Sequence, residues 1–405
     1  MWLPYTVARY IEVAGNDSIL DLEAPFLEGP ALEAHEQERI AISPISVNAA
    51  PLWEHCVRAI EHAWKLGSHG IPLIGNGDWN DGLNQVGAEG RGESVWLGWF
   101  LLTVLRSLAD LADKRDPERA SVWRKRARDL ASAIEKSCWD GDWYLRAFFD
   151  DGSPLGSRAN QEARIDSLPQ SWAVLSGSAD PARALQAMNS ATNELVREDD
   201  QLVLLFKPPF DHSQPHPGYI MGYPPGVREN GGQYTHGSLW LAMAWARLGD
   251  GERAANLLQM MNPIEHSRDP QSVARYRGEP YVVAADVSSA PGRVGRAGWT
   301  WYTGSASWMY RIWIEDVLGF QLRGDVLRIR PAIPPDWPGF ELVYKYRSAT
   351  YEITVKRDKG FAPRMELDGR PMEGSDIRLM DDGARHRITI RLAPPKELVG
   401  ERNVA

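Results

Sequence analysis

The strongest constraint on the fold is a series of helix-forming segments that alternate between two kinds. Segments such as LWLAMAWARLG and SWMYRIWIEDVLG are apolar on nearly every side, whereas PERASVWRKRARDLASAIEKSC has one apolar and one charged face. A helix that is apolar all round must be buried, and amphipathic helices cover it. We therefore expect two layers of helices in residues 1–318, and an α/α toroid fits this alternation better than a four-helix bundle.

Hydrophobic periodicity divides the chain into two domains. It predicts helices over residues 2–13, 51–67, 93–113, 117–138, 167–178, 181–194, 236–249, 251–262 and 302–318. From residue 319 onward, apolar and polar residues alternate between closely spaced turn residues, as in GFQLRGDVLRIRP and HRITIRLAP. The sequence thus predicts a mainly α-helical domain over 1–318 and a C-terminal antiparallel β-sandwich over 319–405.

Composition excludes several classes of protein. The net charge of −9 provides no broad basic surface for nucleic acid. Two cysteines, Cys56 and Cys138, form neither a disulfide framework nor a zinc motif, which is typical of the cytoplasm. The N-terminus has no secretory pattern, and the longest apolar run is too short for direct membrane insertion. Seventeen tryptophans are unusual and suit large cores or the stacking of sugar rings.

The first loop with candidate chemistry is GNGDWNDGLNQVGAEGRGES, residues 75–94. In an extended or turning backbone Trp79 and Asp81 project to the same side, so a sugar stacked on Trp79 would lie beside the Asp81 carboxyl. Glycine allows the backbone to approach a ligand closely. A carboxyl beside an indole and shielded from water has a raised pKa and can act as a general acid. The alternative is that Asp78 and Asp81 are turn and capping residues.

The second loop is MGYPPGVRENGGQYTHGSLW, residues 221–240. Arg228 and Glu229 precede two glycines and could make paired hydrogen bonds to neighbouring sugar hydroxyls. His236 opens an apolar helix, and the N-terminus of a helix favours anions. The alternatives are an ordinary surface ion pair and a histidine whose hydrogen bonds are already satisfied.

The third loop is RAGWTWYTGSASWMYRIW, residues 296–313. Thr303 and Gly304 precede an apolar helix, where hydroxyl and backbone N–H groups can bind an oxyanion, although a plain helix cap is the alternative. The chain contains neither a P-loop nor a G-x-S-x-G motif. The cluster DHSQPH, with Asp211, His212 and His216, is too weak to predict a metal site, so no metal is expected.

Together the loops resemble glycoside hydrolase family 94, the inverting phosphorylases of cellobiose, chitobiose and β-1,2-glucans. The matching segments are PLIGNGDWNDGLNQVGAEGRGESVWLGWF, RENGGQYTHG and WTWYTGSASWMYR, in the family's order. MWLPYTVARYIEVAGNDSILD and ARIDSLPQSWAVLSG look most like the C-terminal region of cyclic β-1,2-glucan synthases. The resemblance implies a six-hairpin (α/α)6 toroid followed by a β-domain.

The resemblance also implies roles for individual residues. Asp81 would be the general acid that protonates the glycosidic oxygen, and Trp79 would line the sugar site beside it. Arg228, where the cellobiose enzymes have lysine, would contact substrate hydroxyls together with Glu229. The positions that match phosphate-binding residues are His236, Thr303 and Gly304.

The expected reaction is phosphate-dependent cleavage of a β-glucoside, such as a β-1,2-glucan, to α-glucose 1-phosphate. Phosphate is already an anionic nucleophile, so one acid and an anion cradle suffice, whereas an inverting hydrolase requires a second carboxylate to activate water. The expected partners are a β-glucan and inorganic phosphate, with no cofactor. Family members are often dimers, so the resemblance makes a homodimer one option and leaves the oligomeric state open.

Two other functions remain open. The first is an inverting hydrolase that uses Glu229 or Glu93 as the base. The second is a non-catalytic region that binds glucan or sets its length within a larger cyclic glucan synthase, at the cytosolic face of the inner membrane. Family members carry an Arg-x-Arg-x-Ser-Asp-Asp-like segment before the helix that here begins at Trp2. That segment and the preceding helices are not in this sequence, so we expect an incomplete toroid and weak or no phosphorolysis by this chain alone.

Overall fold

Helices dominate the first three quarters of the chain. The computed structural model describes residues 1–33, 36, 39–301, 303–357 and 364–393. The α-helices of this part of the chain are α1 (Trp2–Ala14), α2 (Leu52–Ala63), α3 (Val95–Ala112), α4 (Pro117–Ser137), α5 (Ser167–Ser176), α6 (Pro181–Leu195), α7 (Thr235–Arg247), α8 (Gly251–Met260), α9 (Pro270–Tyr276) and α10 (Ser305–Arg311). Every predicted helix is present with ends shifted by a few residues. The short α9 was not predicted.

Side-chain caps fix where several of these helices begin. The Ser94 hydroxyl accepts from the backbone N–H of Leu97 at the start of α3. Asp166 caps α5 in the same way. These caps satisfy N–H groups that have no partner inside the helix. Both capping residues also lie in the candidate site described below, so the helix starts and the site are built from the same side chains.

The helices form two layers. Most residues of α3, α5 and α7 are buried, whereas α4, α6 and α8 bury one face. α3 packs against α4 and α5, α5 packs against α6 and α7, and α7 packs against α8 and α10. Tryptophans from the three buried helices meet at their centre: Trp96, Trp172 and Trp240 have ring centroids 5.2–6.1 Å apart. The two-layer packing agrees with the alternation in the sequence, and the closed toroid remains a prediction.

Short strands lead into the buried helices. The strands before residue 300 are β1 (Glu23–Leu27), β2 (Ile45–Pro51), β3 (Glu93–Ser94), β4 (Ala147–Phe148), β5 (Pro154–Leu155), β6 (Ile165–Asp166), β7 (Val196–Arg197), β8 (Leu202–Val203), β9 (Phe206–Lys207), β10 (Gln233–Tyr234) and β11 (Asp286–Val287). β3 pairs with β4, β6 with β9 and β10 with β11. Because β3, β6 and β10 run directly into α3, α5 and α7, these pairings hold the first turns of the three helices in place.

Sheets form the C-terminal part. Its strands are β12 (Phe320–Arg323), β13 (Val326–Ile329), β14 (Gly339–Tyr346), β15 (Ala349–Arg357), β16 (Arg364–Leu367), β17 (Arg370–Pro371), β18 (Asp376–Arg378) and β19 (Arg385–Leu392). They form two sheets, ordered β12-β13-β18 and β14-β15-β19-β16-β17, which share a core that includes Leu327, Ile353 and Ile388. One pair departs from the antiparallel prediction: β15 and β19 run parallel, because β19 returns to β15 only after a long connection. The sandwich itself remains a prediction.

A wide helical turn joins the two parts. The predicted helix 302–318 is divided between α10 and a π-helical segment, Ile312–Val317. Glu315 in this segment pairs with Arg9 of α1 at 2.6 Å and with Arg311 at 2.8 Å. The predicted boundary at residue 318 falls between the last helical residue, Val317, and the start of β12.

The helix α3 is long and apolar enough to span a membrane by length and composition alone. Its mean hydropathy is 1.4, but 67% of it is buried within the protein. Core helices pass the same test, so α3 is weak evidence for a membrane span.

Candidate active site

Asp78 anchors the first loop. Arg146 donates from Nη1 and Nη2 to Asp78 Oδ2 and Oδ1 at 2.6 and 2.7 Å. The Ser94 hydroxyl donates to Oδ2 at 2.6 Å and the backbone N–H of Asn80 donates to Oδ1 at 2.9 Å. Burial by itself would raise the pKa of the Asp78 carboxyl, but the Arg146 charge and these hydrogen bonds hold that pKa below its usual value. Asp78 is therefore an ionised structural residue, as the turn interpretation proposed.

Arg146 also connects this loop to α5. Its Nε donates to Asp166 Oδ2 at 3.2 Å, and Asp166 caps α5. Burial raises the pKa of Asp166 to about 6, the Asp78 charge adds to this rise, and the Arg146 charge opposes it. Sequence analysis missed Arg146 and Asp166, since no local motif signals a partner 68 residues from Asp78.

Asp81 begins a single 3₁₀ turn, Asp81–Leu83. Asn80 caps that turn, because its Oδ1 accepts from the backbone N–H of Gly82 at 3.1 Å. The capping interpretation of Asp81 therefore does not hold for this turn. Gly77 has a φ of +127°, and a Cβ there would lie 3.2 Å from the Asp81 Cα, so glycine is required for this close approach.

Trp79 connects the first loop to the second. Its indole Nε1 donates to His236 Nδ1 at 3.3 Å. Its ring packs edge-on against Tyr234, with centroids 5.4 Å apart, and lies 5.7 Å from Trp240. The indole is half-buried and belongs to the edge of the main core. Trp79 and His236, 157 residues apart in sequence, thus lie in direct contact.

His236 is the second residue of α7, and no side chain caps the first turn of that helix. Burial lowers the pKa of His236 to about 4, so its imidazole is neutral at physiological pH. Its Nδ1 accepts from Trp79, while its buried Nε2 has no partner among the described residues. The imidazole lies 5.7 Å from the Trp308 ring of α10, which brings the start of α10 to the same place.

Arg228 and Glu229 are sequence neighbours in the second loop, and their charged groups lie close together. Arg228 Nε lies 3.5 Å from Glu229 Oε2, and the guanidinium lies over the Tyr223 ring at 5.1 Å. Arg228 has a φ of +52°, a left-handed conformation that is unusual for a side chain of this size. The Glu229 side chain is only 17% exposed, so this is not an ordinary surface ion pair.

Tyr234 lies between this pair and Trp79, and sequence analysis did not select it. Burial, together with the Glu229 charge and a hydrogen bond to Glu229, raises the pKa of the Tyr234 hydroxyl to about 12. Opposite Tyr234 in the β10–β11 pairing is Asp286, whose Oδ1 accepts from the backbone N–H of Trp299 at 3.0 Å. Burial raises the pKa of Asp286.

The third loop ends in a local hydrogen-bonded turn. Thr303 Oγ1 accepts from the backbone N–H of Ser305 at 3.0 Å and donates to the Ser305 hydroxyl at 2.7 Å. Gly304, and not Thr303, is the N-cap of α10, and no side chain caps its first turn, so the plain Ser/Thr cap that the alternative interpretation expected is not formed. Gly304 is exposed, and a Cβ there would meet no atom of the described residues within 4 Å. Tyr302 lies outside the described residues.

Two other candidates have structural partners. Glu93, considered as a hydrolytic base, is buried and accepts from the backbone N–H groups of His69 and Ile71 at 3.0 and 3.4 Å, with the His69 ring at 2.5 Å. In the DHSQPH cluster, the backbone N–H of His212 donates a hydrogen bond to Glu162 Oε1 at 3.0 Å. Within the ranges that the structure describes, no group of acids, histidines or cysteines could hold a metal ion.

The helical layers, with acidic and aromatic loops ahead of the buried helices, place the chain in a class of glycosidase folds. A solved structure with a similar fold is the family 78 rhamnosidase of Bacillus sp. GL1, at a TM-score of 0.52 and 14% identity over 96% of this chain and 34% of that one. The catalytic domain of the glycosyl hydrolase 94 superfamily matches residues 1–319. The chain belongs to this family.

The relatives include a glucan synthase and several phosphorylases of disaccharides. The chain is 45% identical, over 88% of its length, to the cyclic beta-(1,2)-glucan synthase NdvB of Rhizobium meliloti, of which it covers 13%. It is 32% identical over 96% of its length to the solabiose phosphorylase of Paenibacillus borealis, of which it covers 49%. An N,N'-diacetylchitobiose phosphorylase of Vibrio proteolyticus is 29% identical over 92% of the chain. The chain spans half or less of the length of these relatives.

Proposed function

We propose that this protein is an inverting glycoside phosphorylase that cleaves a β-glucoside, specifically a β-1,2-glucan, with inorganic phosphate. The glucan assignment rests on the 45% identity to a cyclic glucan synthase, and the phosphorylase assignment on the other relatives. The observation that carries the proposal is the contact between Trp79 and His236, with Trp308 beside His236. These contacts join the loop of the candidate acid to the first turns of α7 and α10, where phosphate would bind.

In this mechanism the Asp81 carboxyl donates its proton to the glycosidic oxygen as the bond from that oxygen to the anomeric carbon breaks. A phosphate oxygen forms the new bond to the anomeric carbon from the opposite face, which converts a β-glucoside into α-glucose 1-phosphate. The leaving sugar departs with the proton. Trp79 lines the sugar site, and Arg228 and Glu229 bind hydroxyl groups.

Phosphate would be held by His236 and by the turn at Thr303 and Gly304. The exposed position of Gly304 leaves its backbone open to an anion in front of α10. A neutral histidine contributes one N–H donor, and backbone N–H groups contribute the others. With an anion site of this kind, the reaction needs no second catalytic carboxylate. The Glu93 carboxylate already accepts hydrogen bonds from the His69 ring and the Ile71 backbone N–H, so it does not act as a base.

The synthetic direction tests this proposal through the anomer consumed. The protein is incubated with glucose or sophorose and either α- or β-glucose 1-phosphate, and released phosphate is measured. Because an inverting phosphorylase forms a β-glucoside from the α anomer, only α-glucose 1-phosphate should be consumed. Consumption of the β anomer instead would contradict the proposal. Because the resemblance implies that family members carry a sugar-binding segment before the helix that matches α1, the assay compares this chain with a fusion that carries such a segment ahead of Met1.

The identity to a glucan synthase favours a second candidate, a region that binds glucan or sets its length within a larger enzyme. Under that function, Asp81→Asn would leave glucan binding by the chain intact and no phosphate-dependent cleavage would be measurable in either polypeptide. Loss of glucan binding in Asp81→Asn would contradict it.

A further inference from the structure

The hydrogen bond between Trp79 and His236 has only one possible direction. An indole nitrogen can donate but cannot accept, so Trp79 Nε1–H is the donor and His236 Nδ1 is the acceptor, at 3.3 Å. A nitrogen that accepts carries no proton. The proton of the neutral imidazole must therefore be on Nε2.

The Nε2–H group that results has no acceptor in the part of the chain that the structure describes. It is buried, and a buried donor without an acceptor costs about 1–3 kcal/mol. Aromatic rings surround the imidazole: Trp240 lies 4.5 Å away and Trp308 lies 5.7 Å away, centroid to centroid. Neither ring offers a strong acceptor, so a ligand oxygen is the group that would satisfy this donor.

We infer that Trp79 is a positioning residue for phosphate: its indole N–H fixes His236 in the tautomer that presents Nε2–H to a phosphate oxygen. The inference rests on the proposed function for the role of phosphate and adds the way in which His236 is prepared to bind it. Trp79 therefore links the two substrates, because the side chain that lines the sugar site also sets the proton of the phosphate-binding histidine.

The lowered pKa of His236 is consistent with this arrangement. Burial disfavours the imidazolium, so the histidine contributes a directed neutral donor. Without the indole N–H, the neutral ring can carry its proton on either nitrogen. Part of the population would then present a lone pair to phosphate, which repels an anion.

The test uses Trp79→Phe, which keeps an aromatic ring and removes the N–H. Trp240→Phe is the matched control, because Trp240 also contacts His236 but its buried Nε1 has no partner among the described residues. The tautomer of His236 is measured by ¹⁵N NMR of histidine-labelled protein, with His236→Ala to assign the signals. We expect the Nε2–H form in the wild type and in Trp240→Phe, and a mixture of both forms in Trp79→Phe. An unchanged tautomer in Trp79→Phe would overturn the inference.

Binding of inorganic phosphate, followed by ³¹P NMR titration, separates the inference from the function on which it rests. We expect Trp79→Phe to weaken phosphate binding about threefold to tenfold, the range of one hydrogen bond, and Trp240→Phe to leave it within twofold. If His236→Ala weakens binding and Trp79→Phe does not, the positioning role is wrong and the phosphate site stands. If His236→Ala leaves binding unchanged, the phosphate site itself is wrong and the positioning role of Trp79 falls with it.

Discussion

Arg146 donates hydrogen bonds to both carboxylate oxygens of Asp78. The pair is buried: the Arg146 side chain is 2% exposed and the Asp78 side chain 0%. Asp81 follows Asp78 by three residues, so this ion pair fixes the loop that carries the candidate acid before any substrate binds. A paired geometry of this kind restricts both distance and orientation. The position of the loop therefore depends on Arg146, which also contacts the capping residue of α5, rather than on the ligand.

Arg146→Lys should destabilise the fold strongly. Lysine is a point charge that cannot reproduce the paired contact to Asp78 and the third bond to Asp166. Breaking a buried ion pair typically costs about 3–5 kcal/mol. Denaturant unfolding measures the loss, and Arg58→Lys is the control, because the Arg58–Glu54 pair is 62% and 40% exposed. Exposed pairs contribute about 0–1 kcal/mol, so equal effects of the two substitutions would contradict the anchoring role.

Asp81→Asn should remove catalysis in a protein that still folds. An amide cannot donate the proton that the leaving oxygen requires, and general acid catalysis contributes roughly 10²- to 10⁴-fold to a rate. Glu89→Gln is the matched control in the same loop, because its side chain is 66% exposed and pairs only with Arg91 among the ion pairs of the described residues. Kinetics and thermal unfolding of both variants test this. A normal rate in Asp81→Asn, or a loss in Glu89→Gln, would assign the acid elsewhere.

Glu93→Gln should affect stability, whereas Glu229→Gln should affect sugar binding. Glu93 accepts from the His69 ring and from two backbone N–H groups, so its substitution should lower stability by about 1–3 kcal/mol and leave the requirement for phosphate intact. Glu229→Gln should raise KM for the sugar through lost hydroxyl contacts. If either substitution abolished release of free glucose that needs no phosphate, the hydrolase alternative would be supported instead.

The stability of the C-terminal sheets should fall as pH rises above about 6.5. His386 Nδ1 faces Asp368 at 2.8 Å and Nε2 faces Asp382 at 3.2 Å, so both ring nitrogens donate and the ring is charged. The hydrogen bond to Asp368 raises the pKa of His386, with burial opposing and Asp382 assisting. Because the folded pKa exceeds the unfolded value of about 6.5, the stabilisation is complete below about 6.5 and is lost as pH rises through the folded pKa.

Unfolding measured from pH 6 to pH 9 in the wild type and in His386→Gln tests that dependence. The glutamine variant should be less stable at pH 6 and should have a smaller slope with pH. Equal slopes in the two proteins would show that His386 is not the group responsible.

Sequence patterns located the helices well, because the apolar periodicity of each segment predicts which of its faces are buried. LWLAMAWARLG became the buried α7, and PERASVWRKRARDLASAIEKS became the half-buried α4. The π-helical turn at Ile312–Val317 and the parallel β15–β19 pair were not predictable. Both depend on contacts between distant parts of the chain, such as Arg9 with Glu315, which leave no local periodicity.

The residues of the candidate site also fall into those that local sequence indicated and those that only the fold brings together. Glycine and aromatic residues marked the loops that carry Asp81, Arg228 and His236, since loop composition is a local property. Arg146 and Tyr234 were missed, because their roles arise only when the fold brings Arg146, directly before β4, to Asp78, and Tyr234, at the end of β10, to Glu229. The placement beside Trp79 and then the resemblance to a family favoured Asp81 over Asp78. The buried contact of Asp78 with Arg146 supplies a physical reason for a different role of the two acids.

The most direct test is the product formed from a β-1,2-glucan with and without inorganic phosphate. The reactions of both polypeptides, this chain and the fusion with a family segment ahead of Met1, are followed by ¹H and ³¹P NMR, which distinguish α-glucose 1-phosphate from free glucose. We expect α-glucose 1-phosphate only when phosphate is present, formed faster by the fusion than by this chain alone, and not formed by Asp81→Asn in either polypeptide. Free glucose released at the same rate without phosphate would contradict this expectation.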